Sequence, residues 1–276
     1  MLPHWKEHTL TVPSPRGEFV THYTRTGEGS GKPPVVLVHG FSDSGLCWLP
    51  IARELEAEWD VIMPDARGHG LSQRFSPGEK VHLANDLAEF LRALGVDQPV
   101  IAGHSMGGST AGLLDARYPS LARALILEDP GLRPHTPVPA ESKERQEHPF
   151  KKWIMGLRGK TVEQVIISGR QNDPHWPADE WPAWAESKLQ VDPNIFEVEM
   201  VWPDWREVVR GISAPTLLIT GDMEKGGIIS PDVANAFTEM NPNVRVVHIP
   251  GSGHSIRRDK PAEYLRAIRD FLQEVK

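Results

Sequence analysis

The chain has 276 residues, of which 39% are hydrophobic, and a formal net charge of −7. That is enough apolar material for one large core, or for a core carrying an inserted lid. Lysine and arginine are scattered rather than gathered into a stripe, which speaks against nucleic acid or an anionic membrane surface as a partner.

No stretch approaches the ~18 consecutive apolar residues of a membrane span, and the N-terminal segment lacks the charged-then-apolar order of an export signal. A soluble, cytoplasmic protein is therefore expected. Cys47 is the sole cysteine, so no intrachain disulfide can form, in keeping with a reducing compartment, and it reads as a small packing residue.

Two alternating segments, around Thr9 to Pro13 and Phe19 to Arg25, predict an antiparallel edge hairpin. Thereafter short apolar runs alternate with helical patterns. "VVLVH" (35–39), "DVIMP" (60–64), "PVIAG" (99–103), "ALILE" (124–128), "TLLIT" (216–220) and "VRVVHI" (244–249) read as strands buried on both faces. Helices are expected over Leu49 to Glu58, Val81 to Leu94, Met106 to Tyr118, Pro231 to Met240 and Pro261 to Val275. This alternation predicts a doubly wound α/β core built on a mostly parallel eight-stranded sheet flanked by helices. Between Pro130 and Pro215 the β-branched runs give way to prolines, charges and tryptophans. Residues 131–210 are accordingly expected to form an inserted helical lid, with 1–130 and 211–276 as the core.

Ligands of such sheets bind beyond the carboxyl ends of the strands, and here those ends collect serine, carboxylates and histidine. "GHSMG" (103–107) lies between an apolar strand and a helical pattern, the setting of a nucleophile elbow: glycines flank a sharp turn that leaves Ser105 strained and exposed at the tip. A plain helix-capping hydroxyl is the duller alternative for Ser105. A serine nucleophile needs a base oriented by an acid. His254, in "PGSGHSI" after the last strand, is the candidate base. His104 would point into the elbow packing, and His39 and His69 belong to loops shaping the pocket. For the acid, Glu224, four residues past "TLLIT", is favoured on position, Asp129 after "ALILE" competes with it, and Asp222 and Glu128 remain open. Oxyanion donors are expected from the backbone of Met106, at a helix N-terminus, and of Phe41, after Gly40.

Taken together and in order, "VVLVHGFSDSG", "MPDARGHGLS", "AGHSMGG", "LLITGD" and "PGSGH" resemble the α/β-hydrolase superfamily over nearly all of the chain except the lid. The resemblance implies the α/β-hydrolase fold and an acyl-transfer serine hydrolase with Ser105, His254 and Glu224 as triad. It gives Phe41 and Met106 as oxyanion donors, and structural roles to Asp65, Arg67 and His69. A glutamate in the acid position is similar to that of some lactone hydrolases, including those acting on N-acyl homoserine lactones. Serine at the elbow excludes the aspartate-based chemistry of the dehalogenase and epoxide-hydrolase relatives. No motif for a metal or an organic cofactor is present. The expected partner is a small, partly apolar ester or lactone, with amide, carbamate or carbon–carbon cleavage, or ligand binding without turnover, as alternatives. Trp153, Trp176, Trp181, Trp184 and Met155, with Trp202, Trp205, Ile166, Ile167, Phe196 and Met200, are candidates for lining the substrate pocket, or else the tryptophans glue the lid to the core. Oligomeric state is not readable from the sequence.

Overall fold

The computed structural model describes residues 4–134 and 149–276, so residues 135–148 of the expected lid lie outside the described residues. Ten strands follow in chain order: β1 (Lys6–Val12), β2 (Phe19–Arg25), β3 (Pro34–Val38), β4 (Asp60–Pro64), β5 (Lys80–Val81), β6 (Val100–His104), β7 (Ala124–Glu128), β8 (Glu199–Met200), β9 (Thr216–Thr220) and β10 (Val244–His248). Eight of them form one sheet in the order β1-β2-β4-β3-β6-β7-β9-β10. β1 and β2 form the expected hairpin, β2 meets β4 antiparallel, and every later pairing in that sheet is parallel. β4, β6, β7 and β9 are buried along their whole length, as near-continuous apolar runs require when helices cover both faces.

Helices Leu83–Leu94, Met106–Arg117 and Pro231–Met240 help cover one face, and Leu49–Leu55 and Pro261–Glu274 the other. Local chemistry sets their ends. Pro231 and Pro261 occupy the first helical position, where no intrahelical N–H is lost. Gly95 closes Leu83–Leu94 in the left-handed region at φ 69°.

Between β7 and β9 the described part of the insertion contains helices Pro149–Met155, Val162–Asn172 and Trp181–Leu189. Thr161 and Gln164 form a capping box that starts the second of these. Helix Trp205–Gly211 was expected within the lid, but Trp205, Val208 and Val209 are buried in the main core with Leu113 and Phe237, so packing places this helix with the core layer. The two-residue pairing of β5 with β8 ties the end of the insertion to the core.

Candidate active site

The elbow forms where β6 runs into helix Met106–Arg117. Ser105 sits between them at φ 52°, ψ −112°, a conformation costly for a side chain bearing a Cβ. Two contacts hold it there: its N–H donates to the Glu128 carbonyl at 2.9 Å, and its carbonyl accepts the Ser109 N–H at 3.0 Å. The flanking glycines answer a spatial demand. A Cβ on Gly103 would strike the Gly107 backbone, and one on Gly107 would strike the Val38 carbonyl.

His254 is brought to the elbow by the loop after β10. Its carbonyl accepts a hydrogen bond from His104 Nε2 at 2.9 Å, and the two rings lie 4.7 Å apart. Because a carbonyl can only accept, this bond fixes the proton of His104 on Nε2, and burial with Arg257 nearby holds His104 well below the usual histidine range. His104 is thus a neutral tether for the His254 loop.

The ring of His254 meets Asp129. Its Nδ1 donates to Asp129 Oδ2 at 2.7 Å, and the same carboxylate accepts the Ile228 N–H at 2.9 Å and the Ile229 N–H at 3.1 Å. The Asp129 side chain is fully buried, and its backbone lies in the left-handed region at φ 40°. Asp129 N–H also donates to Ile219 of β9 at 2.9 Å, so the turn carrying the carboxylate is stitched into the sheet. Glu224, favoured from the sequence, is not brought to His254. It lies exposed on the one-turn 3-10 helix Met223–Lys225, because the chain after β9 bends outward behind Asp222. Asp222 in turn accepts His248 Nε2 at 2.9 Å and the Gly251 N–H at 2.7 Å. Glu128 points away and pairs with Arg257, whose N–H donates to it at 2.9 Å and whose guanidinium donates at 3.1 Å.

Phe41 and Met106 border Ser105 in one cavity of about 230 Å³. His39 holds the Phe41 loop in place, donating from Nδ1 to the Gly40 carbonyl at 2.8 Å and accepting the Ala66 N–H on Nε2 at 2.9 Å. Asp65 accepts the N–H groups of Gly45 and Leu71 at 2.7 and 2.9 Å, and Arg67 pairs with Asp86 and Glu79 at 2.9 and 2.6 Å. These contacts make that loop a scaffold.

Four of the aromatic candidates are placed elsewhere. Trp181 stacks on Trp176 with centroids 5.2 Å apart and meets Trp184 edge-on at 5.4 Å, while Trp153 lies 6.3 Å from Trp184. They pack on one another as the core of the insertion, and Met155 is on its surface. Of the candidates, Met200, Trp202 and Trp205 line the cavity, joined by Leu132 from the segment after β7 and Val208 from helix Trp205–Gly211. "VWPDW" (201–205) was the legible trace of that lining, an aromatic pair around a proline just before a helix.

A set of buried charges behind the site also escaped the sequence reading. Asp43, two residues past Phe41, contacts Lys188, Arg258 at 3.0 Å and Arg257 at 3.4 Å; Arg258 also pairs with Glu180 at 3.0 Å. Burial alone would push the Asp43 carboxyl up, but Arg258, Lys188 and Arg257 together hold it well below the usual carboxylate range. Glu180 and Lys188 belong to the insertion, Asp43 to the Phe41 loop and the arginines to the His254 loop, so the network joins all three. The doubled arginine of "HSIRRD", directly after the histidine, was its only sequence signal. Among the described residues no group of three or more His, Cys, Asp or Glu side chains could hold a metal ion.

Fold and elbow define the class: residues 35–267 match the model of the alpha/beta hydrolase family, and the chain belongs to that family. Among particular relatives, it is 26% identical to the 2-(acetamidomethylene)succinate hydrolase of Mesorhizobium japonicum over 89% of either chain. It is 28% identical to an esterase of Escherichia coli, over 87% of this chain and 93% of that one. A thermophilic esterase from Thermogutta terrifontis superposes with a TM-score of 0.69 at 28% identity, covering 98% of this chain and 99% of the other.

Proposed function

We propose that the protein is a serine hydrolase that cleaves a carboxylic ester, open-chain or lactone, through an acyl-enzyme. The observation that carries this reading is the 2.7 Å bond from His254 Nδ1 to the buried Asp129, on a histidine whose carbonyl is tethered to His104, the residue before the strained Ser105. Asp129 fixes the proton on Nδ1 and leaves Nε2 free to act as base. Ser105 Oγ bonds to the acyl carbon as its proton passes to His254. That proton then goes to the departing alkoxide as the ester C–O bond breaks, and water reverses the sequence to free the acid. Backbone N–H groups of Met106 and Phe41 receive the oxyanion. With Asp129 as acid, the glutamate that suggested homoserine-lactone hydrolysis no longer supports that narrower substrate. The esterase names of two relatives support ester cleavage, and the name of a third, an N-formylmaleamate deformylase, makes an amide the alternative. A reducing, cytoplasmic setting suits the buried, unpaired Cys47.

The test is intact mass after exposure to a small fluorophosphonate, followed by p-nitrophenyl butyrate turnover. One adduct is expected on the wild type and none on Ser105→Ala, whose turnover falls by at least ~10³-fold. A folded wild type that takes no label and turns over no ester refutes the proposal.

A further inference from the structure

The cavity beside Ser105 has an orientation. In acyl transfer the histidine protonates the leaving group, so the alcohol of the substrate must lie on the side of His254. No residue of the His254 loop lines the cavity, whereas Phe41 and Met106 do. The fragment it receives is therefore the one left on the serine. Its walls are Leu132, Met200, Trp202 and Val208, and the polar groups among them are few: the Ser109 hydroxyl already donates to the Ser105 carbonyl at 3.1 Å.

Among the described residues, three cations behind the site are committed elsewhere. Lys188, Arg257 and Arg258 are buried against Asp43, Glu128 and Glu180, three positive charges against three negative. Arg133 follows Leu132 in the chain but is outside the lining; its guanidinium donates to the Pro134 carbonyl at 3.3 Å while its Nε is buried without a partner among the described residues, which makes it the cation that the test must address. At about 230 Å³ the cavity is smaller than the ~300–1,000 Å³ usual for drug-sized ligands. A carboxylate entering it would lose its water and meet no cation among the residues that line it.

We infer that this cavity is the acyl pocket and that it takes compact, uncharged, apolar acyl groups while rejecting acyl groups that carry a carboxylate. Trp202 sets its depth, and Gly131 leaves it width: a Cβ there would come within 3.1 Å of the Ser109 hydroxyl. The inference rests on Ser105 acting as the acyl acceptor and adds to that reading the identity of the acyl group. It also separates this chain from its relative whose named substrate is a substituted succinate.

The experiment compares kcat/KM for p-nitrophenyl acetate, butyrate, hexanoate, decanoate and hemisuccinate, and for butyrate esters of methanol, benzyl alcohol and p-nitrophenol, with fluorophosphonate labelling as the check on Ser105. Butyrate or hexanoate is expected to be best, decanoate about 10-fold and hemisuccinate about 100-fold lower. Trp202→Ala should move the optimum to longer acyl groups, and Met200→Arg should raise the hemisuccinate-to-butyrate ratio at least about 10-fold. Hemisuccinate within about threefold of butyrate in a labelled, active wild type overturns the inference while the hydrolase reading stands. So does hemisuccinate turnover that disappears in Arg133→Ala. Absence of both label and ester turnover overturns the hydrolase reading and the pocket assignment with it.

Discussion

The carboxyl ends of β7 and β9 lie side by side, and each carries two acidic residues at or just beyond its end. After β7, Glu128 is locked to Arg257 and Asp129 to His254, both carboxylates out of reach of water. After β9, Asp222 secures the Gly251 turn and Glu224 stands in solvent. The difference lies in the backbone. At β7 the chain turns through the left-handed region at Asp129 and is pinned to β9 by the Asp129 N–H, so its short side chain points along the sheet end towards the histidine. At β9 the chain closes a 3-10 turn away from the sheet, and a longer side chain does not recover the lost distance. Proximity in the sequence to a strand end is shared by all four residues, and it does not decide which one orients a base.

The largest effect that would sharpen this contrast is on turnover. Asp129→Asn keeps the shape of the side chain but no longer stabilises the proton on His254 Nδ1. kcat/KM is expected to fall by ~10³–10⁴-fold. Glu224→Gln should change it by less than about twofold. A greater loss at Glu224 would reverse the assignment of the acid.

A second contrast concerns stability. Glu128 and Arg257 are both fully buried, and Arg257 also lies 4.2 Å above the Trp48 ring. Burial leaves the Glu128 carboxyl above its ordinary range even though Arg257 draws it down, so the contact with Arg257 is what opposes its neutralisation. Glu128→Gln leaves Arg257 with Asp43 alone, at 3.4 Å, and should cost about 3–5 kcal/mol in urea unfolding. Asp222→Asn removes a partly exposed acceptor and should cost clearly less. Equal losses would mean that the buried pair contributes no more than the surface contact.

Much of this architecture was legible because it rests on short-range patterns. β4, β7 and β9 have the expected bounds, and the elbow announces itself through glycines that the close approach of β6 to its helix requires. His254 was visible from its Gly-rich loop and chain order. The partner of its ring was not, since the choice between Asp129 and Glu224 turns on one positive φ and on the amides of Ile228 and Ile229, contacts made across about a hundred positions. The pocket walls were legible only in part: Met200 and Trp202 stood among a longer set of candidates that the sequence could not narrow. Tryptophans at helical spacing in the insertion bury themselves against one another, leaving the lining to the extended stretch around Trp202, which carries no periodic signal. Nor could sequence show that Lys188, Arg257 and Arg258 are consumed by Asp43, Glu128 and Glu180, because each pairing joins distant parts of the chain.

The smallest of these effects lies with the neutral histidines under the site. Burial and the neighbouring His39 depress His69 to about 3, burial likewise lowers His39, and His104 is held well below its usual range by burial and Arg257. A histidine whose folded pKa lies below its unfolded value of ~6.5 binds fewer protons folded than unfolded. Its contribution is therefore complete above about pH 6.5 and is lost as the pH falls towards the folded value, which for His69 spans the window from about 6.5 to about 3. Asp43 and Asp65, whose folded values are lowered, lose their contribution only below the ordinary carboxylate range of ~3.9, while Glu128 and Asp86, whose folded values are raised, offset part of the slope that the buried histidines set between pH 6 and 4. Urea unfolding at pH 6, 5 and 4 should show stability falling with acid. His69→Gln should reduce that slope by up to about 1.4 kcal/mol per pH unit. An unchanged slope would mean that His69 takes up its proton without unfolding, and that the orphaned Nε2 buried beneath the Phe41 loop finds an acceptor on protonation.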